Sequence, residues 1–170
     1  ALADEVIDAI YTSDLSRARA TAQAIADHSN GAARPGVHLQ AGLRERGFGR
    51  FEGLTYAQIA ADWPEDNRRW RQRDPTYAPE GGETLLQLRE RVAETVHLLA
   101  SQHAGEQIVL VAHGGVMDAL YRLATQQAIE APRTWELGNA AINRLLWTPD
   151  SLTLVGWSDT RHLEDATLDE

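Results

Sequence analysis

A layered α/β fold with a mostly parallel sheet is the architecture this chain predicts, on three observations. Short apolar runs of strand type alternate with amphipathic stretches of helix type along most of its length. The run Gln107-Ile108-Val109-Leu110-Val111-Ala112 is continuously apolar after its first residue, as in a strand buried on both faces. It leads at once into His113-Gly114-Gly115 and a helical segment, Val116 to Leu123, so His113 should stand at the carboxyl end of a parallel strand.

Each element has its own local reason. Asp8 to Thr12 reads as a short strand, and Ser13-Asp14 starts a helix to His28 with Leu15, Ala18, Ala22 and Ile25 on one face. Asn30-Gly31 ends that helix, and Val37 to Gln40 forms a second strand. Residues 42–53, rich in Gly and Arg, form a loop. Thr55 to Asp62 is a short helix stopped by Trp63-Pro64, Arg68 to Arg73 is helical, and Asp74 to Gly82 is a loop. Thr84 caps a long helix reaching His103, with Leu85, Leu88, Val92, Val96 and Leu99 along its buried face. Ala141 to Thr148 and Leu152 to Ser158 are strands around a Pro149-Asp150 turn, and an acidic tail runs from Asp159 to Glu170. The opening Ala1-Leu2-Ala3-Asp4-Glu5 reads as the tail of a helix already under way, so an N-terminal piece is expected upstream.

Composition narrows the function. The length of 170 residues fits one domain, 1–170. A formal charge of -9 argues against a nucleic-acid partner. No apolar run approaches the roughly 18 residues of a membrane span, and the start lacks a signal pattern. Without cysteine there are no disulfides or thiolate metal sites, which makes a cytoplasmic location the expectation. All 16 basic residues are Arg, which excludes Schiff-base lysine chemistry and leaves the better bidentate partner for phosphate or carboxylate.

Four clusters carry groups capable of chemistry. His113, beside two glycines at a strand end, is placed to touch an anion, although a core histidine bonded to local backbone would look the same. Arg17 sits in the first helical turn, where the macrodipole favours acids; it either helps to hold an anion or pairs with Asp14. Glu45, in Leu43-Arg44-Glu45-Arg46-Gly47-Phe48-Gly49-Arg50-Phe51-Glu52-Gly53, is either a carboxyl poised for proton transfer or a solvated loop charge. The turn Pro79-Glu80-Gly81-Gly82-Glu83-Thr84 is accounted for by its helix cap alone. Asn139, after Leu137-Gly138, is a further contributor or a turn residue.

In this order the clusters resemble the histidine phosphatase superfamily, the phosphoglycerate mutase-like family, from Asp8 to about His162. The combination of Ser-Asp-Leu-Ser-Arg-Ala, Glu-Arg-Gly-Phe-Gly-Arg-Phe-Glu-Gly, Pro-Glu-Gly-Gly-Glu-Thr and Ala-His-Gly-Gly-Val carries the likeness; none would alone. The resemblance implies a three-layer α/β/α sandwich, phosphoglycerate mutase-like, with residues 54–80 as a small helical cap insertion. It implies that Arg17 binds the transferred phosphoryl group, that Glu45 protonates the leaving oxygen and that His113 stabilises phosphoryl charge. The backbone at Gly114 and the Asn139 side chain line the same pocket in this reading. Metal and cofactor are expected to be absent, and the partner is a small phosphorylated metabolite. Such chemistry needs positioning and positive charge above all, and a carboxyl can stay protonated in a crowded anionic site.

One family feature is missing. The nucleophile of the family lies in an Arg-His-Gly motif at the end of a central strand, and no Arg-His-Gly occurs in these residues. The chain as it stands is therefore expected to be inactive, N-terminally incomplete, and to show an apolar sheet edge, which makes a homodimer conceivable. The leading expectation is a phosphomonoester hydrolase acting through a phosphohistidine. Glu83 lies 38 positions after Glu45 and His113 another 30 on, a compact spacing similar to the phosphatases of the family rather than its mutases. A phosphoglycerate mutase is the alternative, with Arg68, Arg69, Arg71 and Arg73 gathering a second acidic group unless they form a solvated helix face. A phosphate-ester-binding pseudoenzyme without the nucleophile is the other.

Overall fold

The structure, a computed structural model, describes residues 1–31 and 34–164. Its centre is a parallel sheet of order β2-β1-β3, formed by β1 (Ala9–Thr12), β2 (Val37–Leu39) and β3 (Ile108–Val111). Ile10 of β1 is in register with Val37 on one side and Val109 on the other. Asp8 and Gln107 exchange two further bonds, Asp8 N–H to the Gln107 carbonyl at 2.8 Å and Gln107 N–H to the Asp8 carboxylate at 2.8 Å. These align the strand starts, and therefore the strand ends.

Alternation along the strands sorts the helices into two layers. Ile10, Val37, Val109 and Val111 face α1 (Ser16–Asp27) and meet its Ala22, Ile25 and Ala26. Leu110 and Ala112 face the other way, onto the core built by α4 (Leu85–Ser101) and α5 (Gly114–Thr125). That core uses Leu85, Leu88, Val92 and Val96 of α4, the face that the sequence periodicity assigns, together with Val116, Ala119 and Leu120. Thr84 caps α4 through a complete capping box with Gln87. The fold is thus α/β with helices on both faces of a parallel sheet.

The hairpin β4 (Ile142–Thr148) and β5 (Ser151–Asp159) is a separate antiparallel pair. Leu145 and Leu152 reach the α4–α5 core, whereas Leu146 and Val155 are 58% and 65% exposed. Among the described residues no strand pairs with the outer edge of β3, which is only half-buried despite being wholly apolar. The expected open sheet edge is therefore seen among the described residues, at β3.

Two terminal expectations change. Ala1 to Glu5 is a turn rather than a helix, closed by Glu5 N–H to the Leu2 carbonyl at 3.2 Å. Asp4 and Glu5 are drawn instead to Asn30 and Arg144. In the tail, Asp159 still belongs to β5 and α6 (Arg161–Glu164) follows; residues 165–170 lie outside the described residues.

Between β2 and α4 the chain builds α2 (Tyr56–Asp62) and α3 (Pro64–Arg71), with Thr55 boxing the first and Pro64 opening the second. Their small core is aromatic: Phe51, Ile59 and Tyr77 are buried, with Phe48, Trp63 and Trp70 against them. Arg46 stacks over Trp70 at 4.2 Å. Gly49 makes this packing possible, because it adopts φ +51 and a Cβ there would stand 2.1 Å from the Glu80 carbonyl oxygen. Gly49→Ala should therefore cost about 2 kcal/mol, lowering the melting temperature by roughly 4–8 °C. Calorimetry showing an unchanged melting point would refute this.

Candidate active site

Parallel pairing brings the carboxyl ends of β1 and β3 side by side, and the residues just beyond them meet. Ser13 N–H donates to the Val111 carbonyl at 2.9 Å, continuing the ladder one residue past β1. Its buried hydroxyl then lies 2.8 Å from His113 Nε2. His113 is 8% exposed and occupies the cap position of α5 in extended backbone. Burial pushes its imidazole below the ordinary value near 6.5, the charge of Arg17 pushes the same way, and Glu45 opposes both.

Arg17 lies exposed in the first turn of α1. The pairing with Asp14 that would have explained it away is not made. Asp14 is taken by Arg44, whose Nε and Nη2 reach its two oxygens at 2.6 and 2.5 Å. Arg17 has no ion pair among the described residues, and its charge is felt at His113.

Glu45 is half-buried and turned toward α5. The Gly115 N–H donates to its two oxygens at 3.1 and 3.2 Å, and the Arg46 N–H donates to Oε1 at 2.8 Å. A Cβ on Gly115 would stand 2.3 Å from Oε1, so the carboxyl could not keep this position beside a larger residue. At Gly114 an added Cβ would meet nothing within 4 Å, so the space in front of that residue is open. Three groups singled out in sequence, His113, Glu45 and Gly114, therefore come together at the start of α5, with Arg17 near enough for its charge to act on His113. Asn139 is exposed in the turn before β4, and no hydrogen bond among the described residues joins it to this group.

Sequence reasoning passed over Ser13, read only as a helix start, and Glu83, read only as part of a cap. Ser13 was detectable as the residue closing a strand, since strand ends in parallel sheets line ligand sites. The arginine run is largely spent elsewhere: Arg68 pairs with Glu65, Arg69 with Asp74 and Arg73 with Asp118. An open groove of about 800 Å³ borders Glu45, lined by Arg44, Gly47, Gly82, Glu83 and Arg91 among others. Among the described residues no group of three or more His, Asp or Glu is placed to hold a metal, and no helix is long and apolar enough to cross a membrane.

Residues 1–160 match the profile of the histidine phosphatase superfamily, branch 1. The chain belongs to that superfamily. It is 34% identical over 164 residues to phosphoglycerate mutase-like protein 4 of Arabidopsis thaliana, covering 95% of this chain and 69% of that protein. It is 33% identical over 156 residues to the metal-independent phosphoserine phosphatase of the same plant, covering 91% and 63%. Among solved structures, a mycobacterial glucosyl-3-phosphoglycerate phosphatase superposes with a TM-score of 0.74 at 31% identity, covering 90% of this chain and 78% of the other. The chain thus spans about two thirds of the length of those two curated superfamily members.

The depressed imidazole of His113 has a measurable consequence. Between its lowered folded value and 6.5, the unfolded chain binds a proton that the folded chain refuses. Stability should therefore fall as pH drops from about 6.5 through that window, and His113→Gln should flatten the slope. Melting temperatures of the two proteins between pH 7.5 and 5 compare them; identical slopes would contradict this environment for His113.

Proposed function

We propose that the whole protein is a phosphomonoester hydrolase of a small phosphorylated metabolite, acting through a phosphohistidine without metal. The single observation behind this is the meeting of His113 and Glu45 at the start of α5, beside the open space at Gly114, with the charge of Arg17, which has no ion pair among the described residues, acting on His113. Two relatives bear phosphatase names, one of them a metal-independent phosphoserine phosphatase, which favours hydrolysis over mutase chemistry. The pairing of Arg68, Arg69 and Arg73 with carboxylates speaks the same way, since a mutase would need such cations free for a second anionic group.

In this reading Arg17 and His113 hold the phosphoryl oxygens, with the Gly114 amide beside them and Asn139 added by family resemblance alone. A phosphoryl dianion placed there favours the imidazolium and turns His113 into a charged donor. The nucleophile in this reading is the histidine of the family's Arg-His-Gly motif, which does not occur among residues 1–170. Its ring nitrogen bonds to phosphorus while the ester P–O bond breaks, and Glu45 gives its proton to the departing alkoxide. Oε2 is the better suited to carry that proton, because it shares only the Gly115 amide whereas Oε1 accepts that amide and the Arg46 amide as well. Water then attacks the phosphohistidine, losing its proton to the Glu45 carboxylate, and phosphate leaves.

The test is hydrolysis of p-nitrophenyl phosphate in EDTA by the full-length gene product beside residues 1–170. Turnover by the longer chain alone is expected. Activity lost to EDTA would remove the metal-free mechanism, and no turnover by either, with phosphate still bound, would favour the pseudoenzyme.

A further inference from the structure

Thr84 performs the capping at the start of α4, so Glu83 beside it is left unexplained by the cap. Its carboxylate takes Nε and Nη2 of Arg91 at 2.8 Å each and accepts the Gly47 N–H at 3.3 Å. Its backbone is engaged as well: Glu83 N–H donates to the Gly47 carbonyl at 2.9 Å, and its carbonyl accepts Arg46 Nε at 2.9 Å. Arg91 completes the set from α4, donating Nη1 to the carbonyls of Gly42 at 2.8 Å and Arg44 at 3.0 Å.

These bonds share one target. The residues before Glu45 hang on Arg91, and those after it hang on Glu83, yet Glu45 itself bonds to neither side chain. Glu83 and Arg91 are only 18% and 26% exposed, so the pair is shielded from the solvent that weakens surface bridges. An acid that must meet a leaving oxygen within hydrogen-bond reach is sensitive to errors of an ångström.

We propose that Glu83 and Arg91 are positioning residues for the proton-transfer step, a bracket that sets the Glu45 carboxyl against the start of α5. This rests on the hydrolase reading above. The pair does not touch the reacting atoms. Its loss should act through Glu45 and follow the proton demand of the leaving group.

The experiment compares Glu83→Gln and Arg91→Lys in the full-length enzyme on p-nitrophenyl phosphate and on glycerol phosphate. Each variant should lose roughly ten-fold more kcat on the alkyl ester, whose leaving oxygen needs a proton, than on the nitrophenyl ester. Added to Glu45→Gln, either change should cost almost nothing further on the alkyl ester, because the acid it serves is already gone. Equal losses on both esters, or full additivity with Glu45→Gln, would overturn the bracket. Should Glu83→Gln fail to fold, Arg91→Lys gives the same two readings with the charge retained. A parent without activity on either ester sinks the hydrolase reading and the bracket together; an active parent with flat variants sinks the bracket alone.

Discussion

His113→Ala in the full-length protein should lower kcat on phosphomonoesters by roughly 10²–10³-fold, the loss that follows removal of a well-placed donor to developing charge. The fold should survive, since the side chain sits at the sheet edge and its hydrogen bond to Ser13 contributes only about 1 kcal/mol. Arg17→Ala should fall by a comparable factor with still less effect on stability, because Arg17 is exposed and unpaired among the described residues. The two are coupled in a way that can be read without turnover. Arg17 holds the His113 imidazole down, so removing it should move the His113 titration upward in an NMR pH series. Parental kcat in either variant would remove both residues from the phosphoryl site. An unmoved titration would place Arg17 too far from His113 to share an anion with it.

What could be read from sequence was what is local. The strand at 108–111, the glycines after it and the helix they start are contiguous, so His113 was visible at a strand end beside its two glycines. The cap at Thr84 and the apolar stripe of α4 are equally local, and both are present. What escaped depends on distant residues. Ser13 meets His113 across 100 positions, and Glu83 meets Gly47 across 36, neither with a signal in its own segment. One of the two readings of Arg17, pairing with Asp14, was likewise decided from afar, by Arg44 reaching Asp14 across 30 positions. Ala1 to Glu5 departs from its helical pattern for the same reason, because Arg144, far along the chain, draws Glu5 away.

Glu45→Gln should separate esters by their leaving groups. General acid catalysis contributes roughly 10²–10⁴-fold where the leaving oxygen is basic, so an alkyl phosphate should lose about that much. p-Nitrophenolate departs without a proton, and its ester should lose only a few-fold in the transfer step. Gln keeps the shape and still accepts the Gly115 and Arg46 amides, so the loss reports the missing proton and not a displaced loop. Gly115→Ala approaches the same group from the other side. Its new Cβ would stand 2.3 Å from Oε1, forcing the carboxyl off the α5 amide while leaving it ionisable. If Glu45 is the acid, this variant must show the leaving-group dependence of Glu45→Gln, weakened to the extent that the displaced carboxyl still reaches. If Glu45 only steadies the start of α5, both variants should lose equally on the two esters and should melt lower together. Rates on the ester pair, taken with the two melting temperatures, tell these apart, because a stability defect is blind to the leaving group and a missing proton is not.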